Sequence, residues 1–523
     1  MIYFYKTGVI MNKFILFFIS LLFLFCFPVF AQEETETETG IVAEYDPDTI
    51  FIINSFDFNI TGITRPFALI NKADLIRGEE ITGYSNLDDY IKDKRQLLIN
   101  QRVLKDNVRI EFTIGEPLIE GEDIRYPVDL IIFVEDTWNI VALPQPRYDT
   151  NYGFDLTIKA RDYNFLGTMN PLRVDVGYRH DQEGHNFFNL MLDSGIPFTA
   201  FGLNWFFDFD HYFFYRPDVS KPFYYNNATG IYVEFPFGLT RLYVGFYEHF
   251  TVNEELSDAD KLQYGTDFLE GLYMSSRPYI SWVIPTGLEI GRYGELTYTP
   301  RLSAIFNHEL APWFLTDSKK GPFLTFTHSF SFGRIDWIGN FKKGYSFNLY
   351  NSFSYDFFYL RNELEPFSSE IYASGIGHFT LTSFMGFSTR LFYRHFFNNH
   401  TNYGGDVLRG VLDKNVSAEY MVSLNFDLPV RVVRFKPSEW LFKNGLELFN
   451  FDLHLSPVID IAFFKEPGKP SAFEKENFLL SGGFEFIIFP DFFRSLYLRF
   501  STGFNLLDPS DPIEFFIGME FHF

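Results

Sequence analysis

The side chains that could carry out catalysis are scattered along the sequence, and none stands in a catalytic arrangement. The eleven histidines include His180, His249, His328, His378 and His395. No Gly-x-Ser-x-Gly turn, which presents a serine nucleophile in many hydrolases, accompanies them. No pair of carboxylates has an evident role. We therefore expect a protein that is not an enzyme, and a barrel lipase with serine and histidine on adjacent strands is the remaining enzymatic alternative.

Cofactors and nucleic acids are also poor candidates as ligands. The single cysteine, Cys26, excludes an intrachain disulfide and a cysteine-rich metal site. No nucleotide-binding loop or haem attachment motif is present. The chain carries 43 basic and 67 acidic residues, a net charge of -24. Because neutralised phosphates supply most of the affinity for nucleic acids, we expect no nucleic-acid partner, and we expect no cofactor and no metal.

The first 31 residues have the organisation of a secretory signal peptide. A basic start at residues 11–13 precedes an apolar run at 14–27, and small residues lead to a cleavage site after Ala31. We predict Met11 as the true start. The alternative is a single membrane anchor, which needs about 20 apolar residues. An exported chain without a helical span is either soluble or a β-barrel.

Two parts precede the main body of the chain. Residues 32–47 are polar and acidic, which predicts a flexible leader. Residues 48–137 combine two periodicities and predict one small α+β domain of a size that can fold alone. Its strand patterns and its helical stripe lie at residues 50–60, 85–98, 108–112 and 128–134.

From residue 138 to residue 523 the sequence predicts recurring β-strands. Runs of about ten residues alternate apolar and polar positions, which is typical of transmembrane β-strands. Aromatic residues make up 20% of the chain, and aromatic side chains concentrate at membrane interfaces. Sixteen or seventeen runs can be counted, and we predict a barrel of sixteen antiparallel strands because bacterial single-chain barrels have even numbers. A secreted array of β-sandwiches is the alternative.

The end of the chain has the pattern of a closing strand. Phe515, Ile517, Met519, Phe521 and Phe523 fall on one face, which is entirely apolar. A closed barrel needs such a strand, because pairing the last strand with the first removes both open edges. The alternative is an ordinary C-terminal strand that ends on Phe by chance.

This organisation resembles the outer-membrane-protein assembly superfamily, the BamA/TamA-like proteins that also include two-partner-secretion transporters. The family has periplasmic POTRA domains before a 16-stranded barrel, and residues 48–137 resemble one POTRA domain. Three motifs, in the family's order, carry the resemblance: a barrel-start turn (Asn164, Leu166, Gly167), the tip of the sixth outer loop (Leu408, Arg409, Gly410, Val411) and an aspartate on strand thirteen (Asp460). Val411 departs from the family pattern, which has an aromatic residue there.

The resemblance places the Arg409 loop between strands eleven and twelve, and it implies that Arg409 meets Asp460 inside the barrel. A physical reason supports this pair, since a loop folded into a polar lumen needs an anchor. Arginine offers a planar fork of donors that a carboxylate accepts in a bidentate way. The alternative is that both residues are solvated charges in the lumen.

The resemblance implies an assembly factor in the outer membrane, with the POTRA-like domain in the periplasm. That domain would capture unfolded outer-membrane proteins by strand addition, and the barrel would insert them through a seam between its first and last strands. Gly518 is either a kink point at this seam or a small residue that faces a crowded lumen. The expected partners are outer-membrane lipids, unfolded clients and accessory lipoproteins or a periplasmic partner.

Two alternatives to this function stay open. One is a polypeptide-secretion pore or another transport pore that the sixth loop plugs. The other is a structural or adhesive barrel, for which long outer loops such as residues 252–275 would serve.

Overall fold

The computed structural model describes residues 45–521 apart from short segments: 121–122, 150–152, 182–183, 218–222, 255–268, 291–293, 312–318, 364, 398–401, 404–406, 413–415, 442–445, 447–448, 467–476 and 492–495. The predicted signal peptide, all but the last three residues of the predicted leader, and Phe523 lie outside the described residues.

A mixed sheet with two helices precedes the barrel. Its elements are β1 (Ile50–Thr61), α1 (Pro66–Ala73), β2 (Glu80–Thr82), α2 (Tyr84–Asn100), β3 (Arg109–Ile114), β4 (Leu118–Glu120) and β5 (Asp123–Glu135). The strand order is β2-β1-β5-β3, and β4 also pairs with β5. The central strands β1 and β5 run parallel, and the other pairs are antiparallel.

The helices of this small domain cover one face of its sheet. Leu87, Ile91 and Leu98 form the buried stripe of α2. They pack with Leu130 and Ile132, which lie on the same face of β5. Burial of each such side chain contributes about 1.5–3 kcal/mol, so this stripe holds the helix on the sheet.

A closed antiparallel barrel follows. Its strands are β6 (Ile140–Asp149), β7 (Gly153–Asp162), β8 (Leu172–His180), β9 (Asn186–Ala200), β10 (Leu203–Tyr215), β11 (Phe223–Phe237), β12 (Thr240–Val252), β13 (Leu272–Glu289), β14 (Glu295–Glu309), β15 (Phe323–Ile338), β16 (Phe341–Asp356), β17 (Phe367–Thr382), β18 (Met385–Phe397), β21 (Tyr420–Asp427), β22 (Val430–Phe435), β23 (Phe451–Lys465), β24 (Phe478–Pro490), β25 (Leu496–Asn505) and β26 (Glu514–Phe521). Outside the ring lie β19 (Asn402–Tyr403), which pairs with β20 (Ser417–Ala418), and the short helices α3 (Phe357–Arg361) and α4 (Pro437–Leu441).

Neighbouring strands in sequence are neighbours in the ring, and β26 pairs with β6 to close it. β21 and β22 are two parts of one strand position. Both pair with β18 and with β23, and only Leu428 and Pro429 separate them. Within the described residues the ring therefore has eighteen strand positions.

The predicted all-β barrel is confirmed, but the predicted number of sixteen strands is wrong. Two features hide strands from a count of alternating runs. Two-residue turns such as 201–202 join adjacent strands into one aromatic run, and Pro144 and Pro146 argue against a strand at β6. Consequently Arg409 lies between ring positions thirteen and fourteen, and Asp460 lies on position fifteen rather than thirteen.

Side chains alternate between the lumen and the outer surface along each strand. On β23 the even-numbered side chains are buried, whereas Pro457 and Ile459 are exposed on the other face. The exposed large side chains of the barrel strands are mainly apolar, for example Leu156, Val176, Leu190, Phe207, Ile231, Phe246, Trp282, Leu302, Phe326, Phe486 and Phe500. The barrel thus has an apolar outer wall.

The two mouths of the barrel differ in the length of their connections. On the side of the small domain several connections have only two residues, at 201–202, 238–239, 339–340 and 383–384. On the opposite side the longer connections are 253–271, 310–322, 398–419 and 466–477.

Candidate functional site in the lumen and at the seam

The connection between β18 and β21 brings its tip against the inner wall of the barrel. Leu408 and Val411, two residues of the predicted loop motif, are buried there. They form an apolar cluster with Met421, Ala462 and Phe464, which belong to β21 and β23. Apolar contacts therefore hold the tip on the inner wall.

Arg409 and Asp460, which we predict to pair, meet in the lumen. The backbone N and Nε of Arg409 donate to Oδ2 of Asp460 at 2.8 and 2.9 Å, and Nη2 donates to Oδ1 at 2.5 Å. Asp460 is 1% exposed. The pair is bidentate, which is the strong geometry for a guanidinium and a carboxylate. Without Arg409, the carboxylate of Asp460 would be left uncompensated in a buried site.

Two further carboxylates surround the same guanidinium. Nη1 of Arg409 donates to Oδ1 of Asp427 and lies 3.4 Å from Oε1 of Glu485. A second cation, Arg499, lies 3.6 Å from that same oxygen of Glu485. No sequence motif points to Asp427 or Glu485, because only the closed ring brings β21 and β24 to either side of β23.

Gly410 has a conformation and an environment that require glycine. Its φ of +86° lies in the region that favours glycine, and its N–H donates to Oε2 of Glu514. A Cβ at Gly410 would lie 2.3 Å from the backbone N of Phe504, and a Cβ at Gly503 would lie 2.4 Å from the backbone N of Gly410. The loop backbone therefore rests directly on the backbone of β25.

Five successive ring positions each contribute a contact to the loop tip. These contacts are Asp427 of β21, Asp460 of β23, Glu485 of β24, Gly503 of β25 and Glu514 of β26. The fifth strand is one of the two strands that close the barrel. The loop is therefore tied to the closing strand itself, and we call this set of contacts the loop lock.

Within the described residues, the closure between β6 and β26, the seam, has little pairing. The register pairs found there are Tyr148 with Ile517 and Asp149 with Phe516. On its other edge β6 pairs with β7 over its entire length. Pro144 and Pro146 lie within β6 and lack the N–H of other residues, and proline in sheets is found on edge strands. This pair of prolines is the sequence signal that could have located the seam.

β26 carries the predicted C-terminal barrel signal. Phe515 is exposed on the outer surface, and Ile517 shares its face of the strand. The side chains of Met519 and Phe521, and all of Phe523, lie outside the described residues.

Gly518 fits one of its two predicted roles better than the other. The register between β25 and β26 continues without a shift through Gly518, whose partner is Arg499. A Cβ at Gly518 would lie 2.6 Å from the ring of Phe516. The missing side chain therefore makes room for that ring, which favours a small residue in a crowded lumen over a kink.

The predicted barrel-start turn forms the junction with the small domain, and its residues are Asn164, Leu166 and Gly167. Nδ2 of the buried Asn164 donates to Oγ1 of Thr64 at 2.6 Å and to Oδ2 of Asp136 at 3.1 Å. Gly167 has a φ of +74°, and a Cβ there would lie 2.2 Å from the carbonyl oxygen of Ile63. This turn therefore fixes the small domain to the barrel.

A second contact joins α2 and the residues after it to the end of β15. Nη1 of Arg334 lies 2.5 Å from Oδ1 of Asp93. The backbone N–H of Trp337 donates to Oδ1 of Asn100 at 3.1 Å, and the guanidinium of Arg102 lies 4.4 Å from the centre of the Trp337 ring. These contacts hold the helix against the barrel rim.

A third contact is the ion pair between Asp74 and Arg241 of β12, at 2.5 Å. The three contacts lie at well-separated positions around the ring. Among the described residues, these three contacts join the small domain to the rim that carries the short connections.

Within the described part of the chain, no group of three or more His, Cys, Asp or Glu side chains could hold a metal ion. No helix in that part combines the length and the apolar character that a membrane span requires.

Comparisons with known proteins give low similarities. No family model and no curated protein matches the chain. Among solved structures, the chain is similar to BamA from Haemophilus ducreyi lacking POTRA domains 1-3, with 12% identity, 90% of this chain and 84% of that chain covered, and a TM-score of 0.40. It is also similar to CdiB from Acinetobacter baumannii, with 11% identity, 90% of this chain and 74% of that chain covered, and a TM-score of 0.47. CdiB from Escherichia coli is similar as well, with 9% identity, 93% of this chain and 92% of that chain covered, and a TM-score of 0.43. No functional conclusion follows from similarities at this level.

Proposed function

We propose that this chain is an outer-membrane protein assembly factor that inserts unfolded clients through the seam between β6 and β26. The observation that carries the proposal is the seam itself, where two register pairs join the described parts of the two strands. Among the described residues, every other junction of the ring has at least eight register pairs, so an opening at the seam breaks the fewest. A client strand could then pair with a freed edge.

The outer wall supports a location in the outer membrane. In water, an apolar surface that encircles a whole barrel would favour association. In a bilayer the same surface faces lipid, and the closed ring satisfies the backbone hydrogen bonds that lipid cannot. Outer-membrane lipids are therefore the first partner in this proposal.

The small domain supports a role in client capture. Its sheet has the order β2-β1-β5-β3, and β3 is a six-residue strand at the edge, from Arg109 to Ile114. An unfolded client could add a strand at such an edge. In this proposal the domain is POTRA-like and lies in the periplasm, where accessory lipoproteins or another periplasmic partner would also contact it.

A reversible crosslink across the seam tests the proposal. Tyr148→Cys and Ile517→Cys are introduced at register partners, with Cys26→Ser as background. The protein is placed in liposomes, and the folding of an unfolded barrel client is followed against empty liposomes. We expect acceleration with the reduced protein, loss of acceleration after oxidation and recovery after reduction.

A crosslink elsewhere provides the matched control. Phe486→Cys and Phe500→Cys join β24 and β25 at register partners within a continuous ladder. Oxidation there should leave client folding unchanged. If the oxidised seam variant still accelerates folding as well as the reduced one, insertion through the seam is ruled out.

The loop lock favours a second function, a transport pore that the loop plugs. The tip of the loop is anchored in the lumen by five ring positions. For a plugged pore, Arg409→Ala should raise ion conductance in planar bilayers. For an assembly factor, seam oxidation should stop client folding whatever the conductance is.

A further inference from the structure

The ring of Phe516 lies between two guanidinium groups that belong to the two strands beside β26. The guanidinium carbon of Arg499 on β25 lies 4.8 Å from the ring centre, and that of Arg147 on β6 lies 5.2 Å from it. Both distances are within the range of a cation–π contact. Phe516 thus connects the two sides of the seam through side chains.

One of these arginines shares its acceptor with the loop lock. Oε1 of Glu485 lies 3.6 Å from Nη1 of Arg499 and 3.4 Å from Nη1 of Arg409, and Glu485 is 7% exposed. A buried carboxylate with two cations at similar distances divides its interaction between them. A contact path therefore runs from Arg409 through Glu485 and Arg499 to Phe516.

We propose that Phe516 is a clasp on the seam and that the Arg409 loop controls this clasp through Glu485. The inference rests on the proposed function, because it describes what regulates opening of the seam. While Arg409 occupies Glu485, Arg499 stays over the ring of Phe516 and the clasp is closed. When the loop withdraws, Glu485 turns fully to Arg499 and draws it away from the ring.

The consequence for the seam follows from the small number of its backbone contacts. The two register pairs in the described part of the seam leave little to hold β26 against β6. Phe516 belongs to one of those pairs, opposite Asp149. Its side-chain clasp therefore supplies a large share of the interactions that hold the two strands together.

The test measures how long β6 and β26 stay paired at the seam, and no client protein is present. The rate of disulfide formation between Tyr148→Cys and Ile517→Cys reports how long the two strands stay in register. It is compared for four proteins in the Cys26→Ser background: the parent, Arg409→Ala, Phe516→Leu and the double variant. Heat-modifiable mobility on gels verifies that each barrel is folded.

We expect Arg409→Ala to slow the crosslink about fivefold, the change that the loss of one cation–π contact at a partly exposed site produces. In the Phe516→Leu background, Arg409→Ala should have little further effect, because the clasp it controls is already absent. Equal slowing by Arg409→Ala in both backgrounds, or no slowing in either, would overturn the proposal.

Two more variants separate the clasp from general disturbance. Phe484→Leu removes an exposed ring from the outer face of β24, and the effect of Arg409→Ala should persist in that background. Glu485→Gln removes the shared charge, so the effect of Arg409→Ala should disappear there. Persistence in Glu485→Gln would show that the loop reaches the seam by a different route.

These outcomes are independent of client insertion. If the crosslink rates follow the expected pattern but liposomes show no client folding, the clasp stands and the proposed assembly function fails. If client folding is accelerated but the rates are insensitive to Arg409, the function stands and the clasp fails.

Discussion

The seam and the wall formed by β11, β12 and β13 show how differently two regions of one barrel can be closed. β11 and β12 remain in register from Tyr225 to Phe237, and glycines on this wall lie under tyrosine rings of the next strand. A Cβ at Gly230 would lie 2.3 Å from the ring of Tyr247, and a Cβ at Gly245 would lie 2.4 Å from the ring of Tyr279.

The seam lacks the long ladder. Prolines take donors away from β6, and within the described residues two register pairs join it to β26. The ring of Phe516 covers Gly518 of its own strand and lies between two arginines of the neighbouring strands. The comparison teaches that the rigidity of a barrel is local. Ring–glycine packing and long ladders hold the wall, whereas side-chain contacts and the loop lock hold the seam.

The largest expected effect comes from breaking the loop lock, because a buried charge is then left alone. Arg409→Ala should lower the free energy of unfolding by about 3–5 kcal/mol, measured by denaturant unfolding in detergent. Asp460→Ala should also lower the free energy of unfolding, but by less, because Arg409 then keeps its contacts with Asp427 and Glu485. In the double variant, the free energy of unfolding should fall by much less than the sum of the two single decreases, since both changes remove the same contact.

A matched arginine in the lumen provides the control for this prediction. Arg173 is paired with Asp193 at 3.1 Å but is about a third exposed, so Arg173→Ala should cost less than about 1 kcal/mol. If the effects of Arg409→Ala and Asp460→Ala simply add, their pairing is not what stabilises the lock.

The next effect concerns the wall. Gly230→Ala should lower the free energy of unfolding by about 1–3 kcal/mol, because the new Cβ forces the Tyr247 ring from its place. At Gly375 a Cβ would lie 3.6 Å from the nearest atom, a side-chain carbon of Phe347. Gly375→Ala is therefore expected to be neutral or stabilising, and the same denaturant series measures both. If both substitutions lower the free energy of unfolding equally, the packing of tyrosine rings on glycines does not stabilise the wall.

A smaller effect is expected at the rim. Arg334→Ala removes a partly exposed ion pair with Asp93, and such pairs contribute about 0.2–1 kcal/mol. Amide hydrogen exchange in α2 should become faster in the variant. In the parent, added salt should have the same effect, because salt screens partly exposed charges. Exchange that is insensitive to both changes would show that Asn100 and Arg102 suffice to hold the helix.

The smallest effect is expected at the seam, from replacing the two prolines of β6. Pro144→Val with Pro146→Val restores two backbone donors and favours a strand by a few tenths of a kcal/mol per residue. The crosslink between Tyr148→Cys and Ile517→Cys should then form faster than in the parent. A slower crosslink would indicate that the prolines shape β6 for its contact with β26.

Much of the fold was accessible from the sequence because alternation has a fixed physical meaning. A period of two places one set of side chains outside and the other inside, so the barrel class followed from the pattern. The strand number did not follow, because a two-residue turn such as 201–202 leaves the alternation almost unbroken. The pattern thus identifies faces more reliably than strand ends.

The candidate site was accessible only in part. The motif order pointed to Arg409 and Asp460, which the folded chain brings together. Nothing in the sequence pointed to Glu485, since it has no distinctive neighbours and contacts Arg409 across 76 residues of chain. Sequence motifs cannot show which carboxylates of successive strands reach the same height in the lumen.

By itself, the sequence determined an alternating apolar wall, a small mixed domain before it and glycines where the backbone must approach closely. These depend on side-chain type and local spacing, which are properties of the chain alone. Only the tertiary structure decided the eighteen strand positions, the weak closure of β6 on β26 and the shared Glu485 of the lock and the clasp. The reason is that ring closure and lumen contacts join residues that are distant in sequence, and register and strand number set which of them meet.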